Sequence, residues 1–300
     1  MKILLTLNKT YRGMPDTGYW YTYLPLKQLG HEVYWYDTVD PDEKDYNKIV
    51  ETFKPDLIFC CMTGNPDITP YEPWQSIKKE TDSGRIKTFN WFCDDTWRYN
   101  NFSKNACHYF NACSTPEKSR VADYKKDGYN NIIVANWHAN SKFYEAKAYE
   151  DKKTDISFIG YLTTKRKSFF NRVDFPITFL SGITQEELFD AHTTTKIGIN
   201  LSHNDNDTQG KTQMKQRMFE VPAGGGMLLT QYHEGIEDYY KIDSEIVTFK
   251  DADEFCKKAK FLMDNPNVSK NIAERGYRRF IREHDSSVRL NQVLQEIGKL

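Results

Sequence analysis

The sequence predicts an α/β protein of two domains, each built on a parallel sheet. Short apolar segments alternate with amphipathic segments along the 300 residues, which is typical of βα units. A polar, weakly patterned segment, residues 136–154, interrupts this alternation near the middle. The length suits two domains of ordinary size. We therefore place residues 1–150 in one domain and residues 151–300 in the other.

Composition indicates a folded chain without a broad charged surface. Apolar residues make up 39% of the chain and charged residues 28%, and the formal net charge is −1. Nucleic acid is therefore not the default partner, although a local basic patch would fit these numbers. No apolar run reaches the length of a signal peptide or the about 18 residues of a membrane span, so we expect a cytoplasmic protein. The six cysteines contain no CxxC pair, which favours reduced thiols over disulfides or a metal site.

The first half is predicted to contain six strands and four helices. Residues 8–18 form a polar loop at the carboxyl end of the first strand, where ligands collect in open α/β sheets. Its glycines, Gly13 and Gly18, are candidates for ligand contact. The alternative is that they are ordinary turn residues of the loop. The predicted strands are residues 3–7, 31–35, 56–61, 86–93, 106–113 and 132–135, and the predicted helices are residues 19–29, 44–53, 71–81 and 115–127.

Two acids, Asp94 and Asp95, follow directly after the strand predicted at residues 86–93. Carboxylates at the carboxyl end of a buried strand are well placed for proton transfer. The alternative is a helix N-cap, a role that aspartate fills well.

The second half repeats the βα pattern. Gly160 follows the strand predicted at residues 155–159, and the next turn carries a basic run that includes Arg166. Asn200 lies near the end of another predicted strand. Further strands are predicted at residues 176–180, 195–201, 227–229 and 245–247, and helices at residues 185–192, 251–264, 268–283 and 286–299.

Residues 215–229, KQRMFEVPAGGGMLL, carry the densest chemical signal. They predict a short helix, a glycine-rich break and a buried strand. Lys215 and Arg217 supply positive charge for phosphate, and Glu220 supplies a carboxylate for sugar hydroxyls, so the segment predicts a nucleotide-sugar site. Solvated charges on a helix face are the alternative. Two glycines are expected to bring backbone amides close to the phosphates, namely Gly224 and Gly225.

The pattern R-x-F-E-x-x-A-x-G before an apolar strand resembles the C-terminal signature of two-domain GT-B glycosyltransferases of the group-one and spore-maturation (CgeB-like) type. The resemblance covers about residues 155–290. It implies two Rossmann-like domains facing a cleft, a nucleotide-sugar donor on the second domain and an acceptor on the first. It also implies that the last helix, about residues 286–300, packs back on the first domain.

The resemblance implies roles for single residues of the second domain. Arg217, with Lys215, would neutralise the donor diphosphate, and Glu220 would accept hydrogen bonds from ribose hydroxyls. Arg166, or a lysine beside it, would contact the diphosphate next to Gly160. Donor contact is also expected for three more residues, namely Asn200, Gly224 and Gly225.

The resemblance assigns the acceptor side to the first domain. The loop with Gly13 and Gly18 would face the cleft, and Asp94 or Asp95 would be the base of an inverting transferase. Retaining group-one enzymes carry a glutamate eight residues before the second one, and here that position is Thr212. The stereochemical course is therefore open.

No cofactor or metal is expected. Residues 205–210 match the first half of an EF-hand loop, but the position that should supply a bidentate carboxylate is Gln216, which argues against calcium.

Three functions remain open from the sequence. The leading one is a glycosyltransferase that moves a hexosyl or pentosyl group to an acceptor hydroxyl of a glycan or a small molecule. A second is a viral-type glycosyltransferase that acts on modified DNA bases. A third is a GT-B-like module that binds a sugar nucleotide without turnover.

Overall fold

Two parallel sheets, one in each half of the chain, organise the structure, which is a computed structural model that describes residues 1–11, 13–203 and 211–300. The chain divides into a first unit of residues 1–136 and 286–300 and a second unit of residues 137–285. The predicted fold class of two α/β domains with parallel sheets is confirmed. None of the described helices is long and apolar enough to span a membrane.

The first unit contains eight described strands. Six of them form a parallel sheet in the order β4-β1-β5-β6-β7-β8, and the other two form a short antiparallel hairpin. The strands are β1 (Lys2–Thr6), β2 (Thr10–Tyr11), β3 (Met14–Pro15), β4 (Glu32–Tyr36), β5 (Leu57–Cys60), β6 (Lys87–Trp91), β7 (Ala112–Thr115) and β8 (Ile132–Val134).

The helices of the first unit are short, and the last of them comes from the end of the chain. Two π-helical turns, Tyr19–Tyr23 and Tyr99–Ser103, precede α1 and follow α4. The α-helices are α1 (Leu24–Gln28), α2 (Tyr46–Phe53), α3 (Trp74–Ser83), α4 (Asp95–Arg98), α5 (Lys104–Ala106) and α6 (Arg120–Lys126), with the C-terminal helix Ser286–Gly298 packed against α1.

Alternate residues of the central strands fill the two faces of the first sheet. Leu4 faces one core cluster, whereas Ile3 and Leu5 face the other, as the two-residue period of a strand requires. Four side chains of the C-terminal helix belong to the second of these clusters, and burial of each stabilises the unit by about 1.5–3 kcal/mol. They are Leu290, Val293, Leu294 and Ile297.

The second unit holds a five-stranded parallel sheet in the order β10-β9-β11-β12-β13. Its strands are β9 (Thr154–Ile159), β10 (Thr178–Leu180), β11 (Thr195–Asn200), β12 (Met227–Gln231) and β13 (Val247–Phe249). Its helices are α7 (Thr164–Phe170), α8 (Gln185–Thr194), α9 (Arg217–Ala223), α10 (Ala252–Asp264) and α11 (Pro266–Glu283), and the C-terminal helix of the first unit is α12.

Several elements differ from the prediction, and two of them only in where they begin: α6 at Arg120 and β10 at Thr178. The strand predicted at residues 106–113 is wrong: α5 and a 3₁₀ turn, Cys107–Tyr109, occupy most of it, and β7 begins only at Ala112. The loop predicted at residues 8–18 contains the β2–β3 hairpin, and the strand predicted at residues 245–247 starts two residues later, at Val247.

All six cysteines are free thiols. Burial raises the pKa of Cys60 and of Cys113 well above the ordinary value, so these thiols stay protonated in the folded chain. The Sγ atoms of Cys61 and Cys93 lie 3.8 Å apart, without a disulfide between them.

Candidate functional site

The guanidinium group of Arg217 lies at the carboxyl edge of the second sheet. Its Nε atom donates a hydrogen bond to the carbonyl oxygen of Ile159, 2.6 Å away, and one terminal nitrogen donates to Oδ1 of Asn200 at 3.1 Å. Ile159 and Asn200 are the last residues of the neighbouring strands β9 and β11. Arg217 begins α9, so two strand ends and a helix start fix one cation at this edge.

A single aromatic ring supports two arginines here. The guanidinium carbons of Arg217 and Arg166 lie 4.6 Å and 5.5 Å from the centre of the buried Phe158 ring. Arg166 also donates from its guanidinium group to the carbonyl oxygen of Tyr161, at 2.7 Å. Cations stack favourably on ring faces, so Phe158 offsets part of the cost of holding two like charges together.

Burial, followed by the nearby charge of Arg166, lowers the pKa of Arg217 to about 10. The group therefore remains protonated at neutral pH. Among the described residues, no carboxylate lies within ion-pair distance of Arg217, and both of its hydrogen bonds go to neutral oxygens. Guanidinium groups form strong, charge-assisted hydrogen bonds with anions such as phosphate and carboxylate.

Gly160 leaves room for the Arg217 side chain. A Cβ atom on residue 160 would lie 2.4 Å from a terminal nitrogen of Arg217, which is closer than atoms can approach. The φ angle of Gly160 is +144°, a conformation that other residues rarely adopt. Only glycine therefore permits this position of the guanidinium group.

Asn200 positions Arg217 by accepting a hydrogen bond from its guanidinium group. The asparagine is fully buried, and its amide nitrogen donates to the hydroxyl oxygen of Thr230 at 2.9 Å while its oxygen accepts from Arg217. The side chain is thus held from both ends. Asn200, predicted as a donor contact, acts in this structure on the arginine.

Glu220 lies one turn along α9 from Arg217 and is largely buried, with its side chain 10% exposed. One carboxylate oxygen is 3.6 Å from Nε2 of His192, a fully buried residue of α8. No sequence pattern indicates His192, because its position reflects only how α8 packs on α9.

Gly224 and Gly225 lie at the other edge of the sheet. Their amides donate to the carbonyl oxygens of Glu220 and Pro222, and so they close the end of α9. The carbonyl oxygen of Gly224 accepts from Lys152, which precedes β9 at its amino end. These hydrogen bonds give no support to the predicted phosphate contact of the two glycines. A Cβ atom on Gly224 would lie 2.6 Å from the carbonyl oxygen of His192, so close packing against α8 explains that glycine.

Lys215 is half-buried and lies two residues before α9. Its carbonyl oxygen accepts a hydrogen bond from the amide of Met218, which helps to start the helix beside Arg217.

The two aspartates predicted as bases differ in accessibility. Asp95 is fully buried within the first unit, where its carboxylate accepts a hydrogen bond from the hydroxyl of Tyr124 at 2.7 Å and burial raises its pKa. A sealed carboxylate cannot contact an acceptor, which argues against Asp95 as the base. Asp94 is half-buried and lies just before α4, so only this acid retains the predicted role.

Gly13 and Gly18 of the first unit have local roles. Gly13 lies in the turn between β2 and β3 with a φ angle of +77°. Gly18 is buried against Leu7, since a Cβ atom there would lie 2.2 Å from a Leu7 methyl carbon.

The EF-hand-like segment, residues 205–210, lies outside the described residues. Within the described ranges, no three side chains of His, Cys, Asp or Glu come together as a metal site.

Solved structures that superpose on this chain include glycosyltransferases. An α-glucosyltransferase in complex with UDP-glucose and DNA containing an abasic site superposes with a TM-score of 0.69 at 12% identity over 99% of each chain. HepE of Anabaena in complex with UDP and glucose gives 0.63 at 10% identity over 100% of each chain. Sucrose-phosphate synthase of Thermosynechococcus elongatus gives 0.63 at 10% identity over 100% of this chain and 99% of the other.

The fold is therefore that of the GT-B glycosyltransferases, with two parallel-sheet units. No curated protein sequence matches the chain significantly. The family is given by residues 141–295, which match the glycosyl transferase-like family model over just over half of the chain. The chain belongs to this glycosyltransferase family.

Proposed function

We propose that the chain transfers a sugar from a nucleoside-diphosphate sugar to an acceptor hydroxyl. The observation that carries this proposal is the pair of guanidinium groups of Arg217 and Arg166 on the Phe158 ring. Two cations fixed within one site match the two phosphates of such a donor.

The chemistry of the transfer explains why the cations matter. The bond between the anomeric carbon and the phosphate oxygen breaks, and negative charge grows on the leaving diphosphate while positive charge grows on the sugar. Fixed guanidinium groups stabilise that leaving group more strongly in the transition state than in the bound donor, which accelerates the reaction. The proposed sugar is a hexosyl or a pentosyl group, and the proposed type within the family is the group-one or spore-maturation type.

The remaining donor contacts follow from the position of Arg217. We assign the ribose hydroxyls to Glu220, one helical turn away, and a supporting phosphate contact to Lys215. Glu220 is the most buried of these residues. The variant Glu220→Gln tests its assigned contact with the ribose hydroxyls. Uracil is the first donor base to test, because structural neighbours are complexes with UDP or UDP-glucose.

Asp94 is the proposed base if the transfer inverts the anomeric centre. A retaining enzyme of the group-one type would carry a glutamate at position 212. Here the residue is Thr212, whose hydroxyl lies 3.0 Å from Nδ1 of His233. A retaining route would therefore use the leaving phosphate to take the acceptor proton.

A thermal-shift panel of UDP, UDP-sugars and other nucleoside diphosphates tests the donor proposal. A donor present at about 100 times its Kd should add about 2.7 kcal/mol to the free energy of unfolding. Arg217→Ala should remove that stabilisation and the release of UDP in a turnover assay. Arg172→Ala is the matched control, because Arg172 is an exposed arginine of the same unit that pairs with Asp253. Equal donor binding by all three proteins would refute the proposed site.

A modified DNA base is a second candidate acceptor. It is suggested by two structural neighbours that are complexes with DNA, one of them a 13-mer with an HMU base. Incubation of an HMU-containing oligonucleotide with each bound donor, followed by mass measurement, gives a mass gain of one sugar if DNA is the acceptor and an unchanged mass if it is not.

A further inference from the structure

The first unit has a cavity of about 490 Å³ along the free edge of β4. This volume lies within the about 300–1,000 Å³ typical of small-ligand pockets. The lining combines aromatic rings with one ion pair, and none of it belongs to the arginine site. The lining includes Lys9, Tyr19, Tyr23, Tyr34, Trp35 and Glu43.

Three rings form one wall of this cavity. Tyr19 stacks on Trp35 and on Tyr23, with ring centres 6.2 Å and 5.9 Å apart and planes 17° and 25° from parallel. The indole nitrogen of Trp35 donates to the carbonyl oxygen of Leu7 at 2.7 Å, which fixes the ring. Tyr19 is nevertheless 38% exposed, although an aromatic ring usually gains stability by full burial.

The polar part of the lining carries no net charge. The ammonium group of Lys9 lies 3.6 Å from a carboxylate oxygen of Glu43, and the hydroxyl of Tyr34 donates to the other oxygen at 3.3 Å. The lining therefore contains one cation and one anion. The side chain of Lys9 is 43% exposed, so its donors face solvent or a ligand.

We propose that this cavity binds a saccharide ring and that this saccharide is the acceptor of the transfer. The second half of this inference rests on the proposed function. The C–H groups of a pyranose ring carry small positive charges and pack on the negative faces of aromatic rings. Its hydroxyls both donate and accept, so a lysine beside a glutamate satisfies them together.

The charges of the lining favour a saccharide over a nucleic acid. A DNA acceptor brings phosphates, whose binding depends on an excess of lysine and arginine. Glu43 balances Lys9, and the carboxylate of Asp37 also lies close, accepting from the backbone amide of Lys9 at 2.9 Å. Phosphates in the cavity would thus meet one acid for its one cation, with a second acid close behind the lining.

The test measures binding of methyl α-glucopyranoside, maltotriose and chitotriose to the full chain by saturation-transfer NMR and by tryptophan fluorescence. We expect at least one of them to bind with a Kd of about 1 mM or tighter. Tyr19→Ala should weaken that binding about tenfold, and Glu43→Gln should weaken it about fivefold. Tyr71→Ala is the matched control, because Tyr71 is a 44% exposed tyrosine of the same unit outside the cavity, and its Kd should stay within about twofold of wild type.

UDP-glucose binding is measured on the same samples, so that the two proposals fail separately. Donor binding without saccharide binding would overturn the cavity proposal alone, whereas loss of both would also count against the proposed function. If the Kd for the saccharide is unchanged in Tyr19→Ala and Glu43→Gln, the sugar binds elsewhere. That result would also overturn the cavity proposal. If no saccharide binds, and Tyr19→Ala weakens binding of an HMU-containing oligonucleotide, the ligand of the cavity is DNA and the saccharide proposal is wrong.

Discussion

A terminal nitrogen of Arg217 occupies the space that a side chain on Gly160 would fill. The two residues are far apart in sequence, but a Cβ atom on residue 160 would lie only 2.4 Å from this nitrogen. The position of the Arg217 guanidinium group therefore depends on the absence of a side chain at residue 160.

Gly160→Ala should displace the guanidinium group of Arg217. The new methyl group collides with it, and alanine is strained at a φ angle of +144°, at a cost of about 1–3 kcal/mol. We expect donor affinity to fall about tenfold or more in isothermal titration. Gly182→Ala is a control for positive φ, since its φ angle is +68° and no atom lies near its Cβ position. Unchanged affinity in Gly160→Ala would show that Arg217 does not contact the donor.

Asn200→Asp should weaken donor binding through charge. The aspartate would place a carboxylate next to Arg217, where a neutral amide oxygen now accepts a hydrogen bond at 3.1 Å. The arginine would then be neutralised internally, so we expect KM for the donor to rise about tenfold or more. Steady-state kinetics with varied donor measures this change. An unchanged KM would mean that the donor does not rely on the charge of Arg217.

Asp94→Asn and Asp95→Asn should have different effects. Asp95 is buried against Tyr124, so its replacement should lower the free energy of unfolding by about 1–3 kcal/mol in denaturant titrations. Asp94 is half-buried, so its replacement should leave stability within about 0.5 kcal/mol and lower kcat about a hundredfold if it is the base. Full activity of Asp94→Asn would exclude it as the base and favour the retaining route.

Lys152 should give the second unit a recognisable pH dependence. The residue is 3% exposed, and its ammonium group donates to the carbonyl oxygens of Thr193 and Gly224 at 2.6 Å each. Burial, followed by the charge of Lys147, lowers its pKa from 10.5 to about 8. Below about pH 8 the lysine is protonated in both the folded and the unfolded chain, and the full cost of burying the charge is present.

Between about pH 8 and pH 10.5 the unfolded chain keeps a proton that the folded chain has released, so this group raises the free energy of unfolding as pH rises. The gain across that window is on the order of 3 kcal/mol, because each pKa unit corresponds to about 1.4 kcal/mol. The buried thiols act in the opposite direction, but they are identical in wild type and in Lys152→Met. The free energy of unfolding of wild type, relative to that of Lys152→Met, should therefore increase from pH 8 to pH 10. A constant difference would refute the lowered pKa.

We expect the transfer to proceed without a divalent cation. The two guanidinium groups on Phe158 supply the positive charge that would otherwise come from a metal ion at the diphosphate. UDP release should keep its rate, within about twofold, when EDTA is present in excess. Loss of activity that Mg²⁺ or Mn²⁺ restores would contradict this expectation.

The parallel sheets could be predicted from the sequence because strands such as β5 and β12 carry continuous apolar runs and the strands alternate with amphipathic helices. The segment 106–113 failed for a physical reason. Its apolar residues suit a buried helix as well as a buried strand, and length and packing decide between them. The β2–β3 hairpin has two residues in each strand, too few to show a period.

The candidate site was predictable in part. Gly160, Asn200 and Arg217 meet because the carboxyl ends of parallel strands share one edge of a sheet. The position of Phe158 under both arginines gives no sequence signal, since one buried aromatic residue in a strand resembles another. The distance of Gly224 from this edge follows from the length of α9. The burial of Asp95 follows from packing in the first unit. The spacing of residues in the sequence reveals neither.

The return of α12 to the first unit has a consequence for the order of events during synthesis. Residues 137–285 form one continuous stretch, so the second unit can assemble as soon as it leaves the ribosome. The first unit emerges earlier but waits for Leu290 and Ile297 to cover its sheet. The part of the chain that is translated first should therefore be the part that a protease can cut for longest in nascent chains.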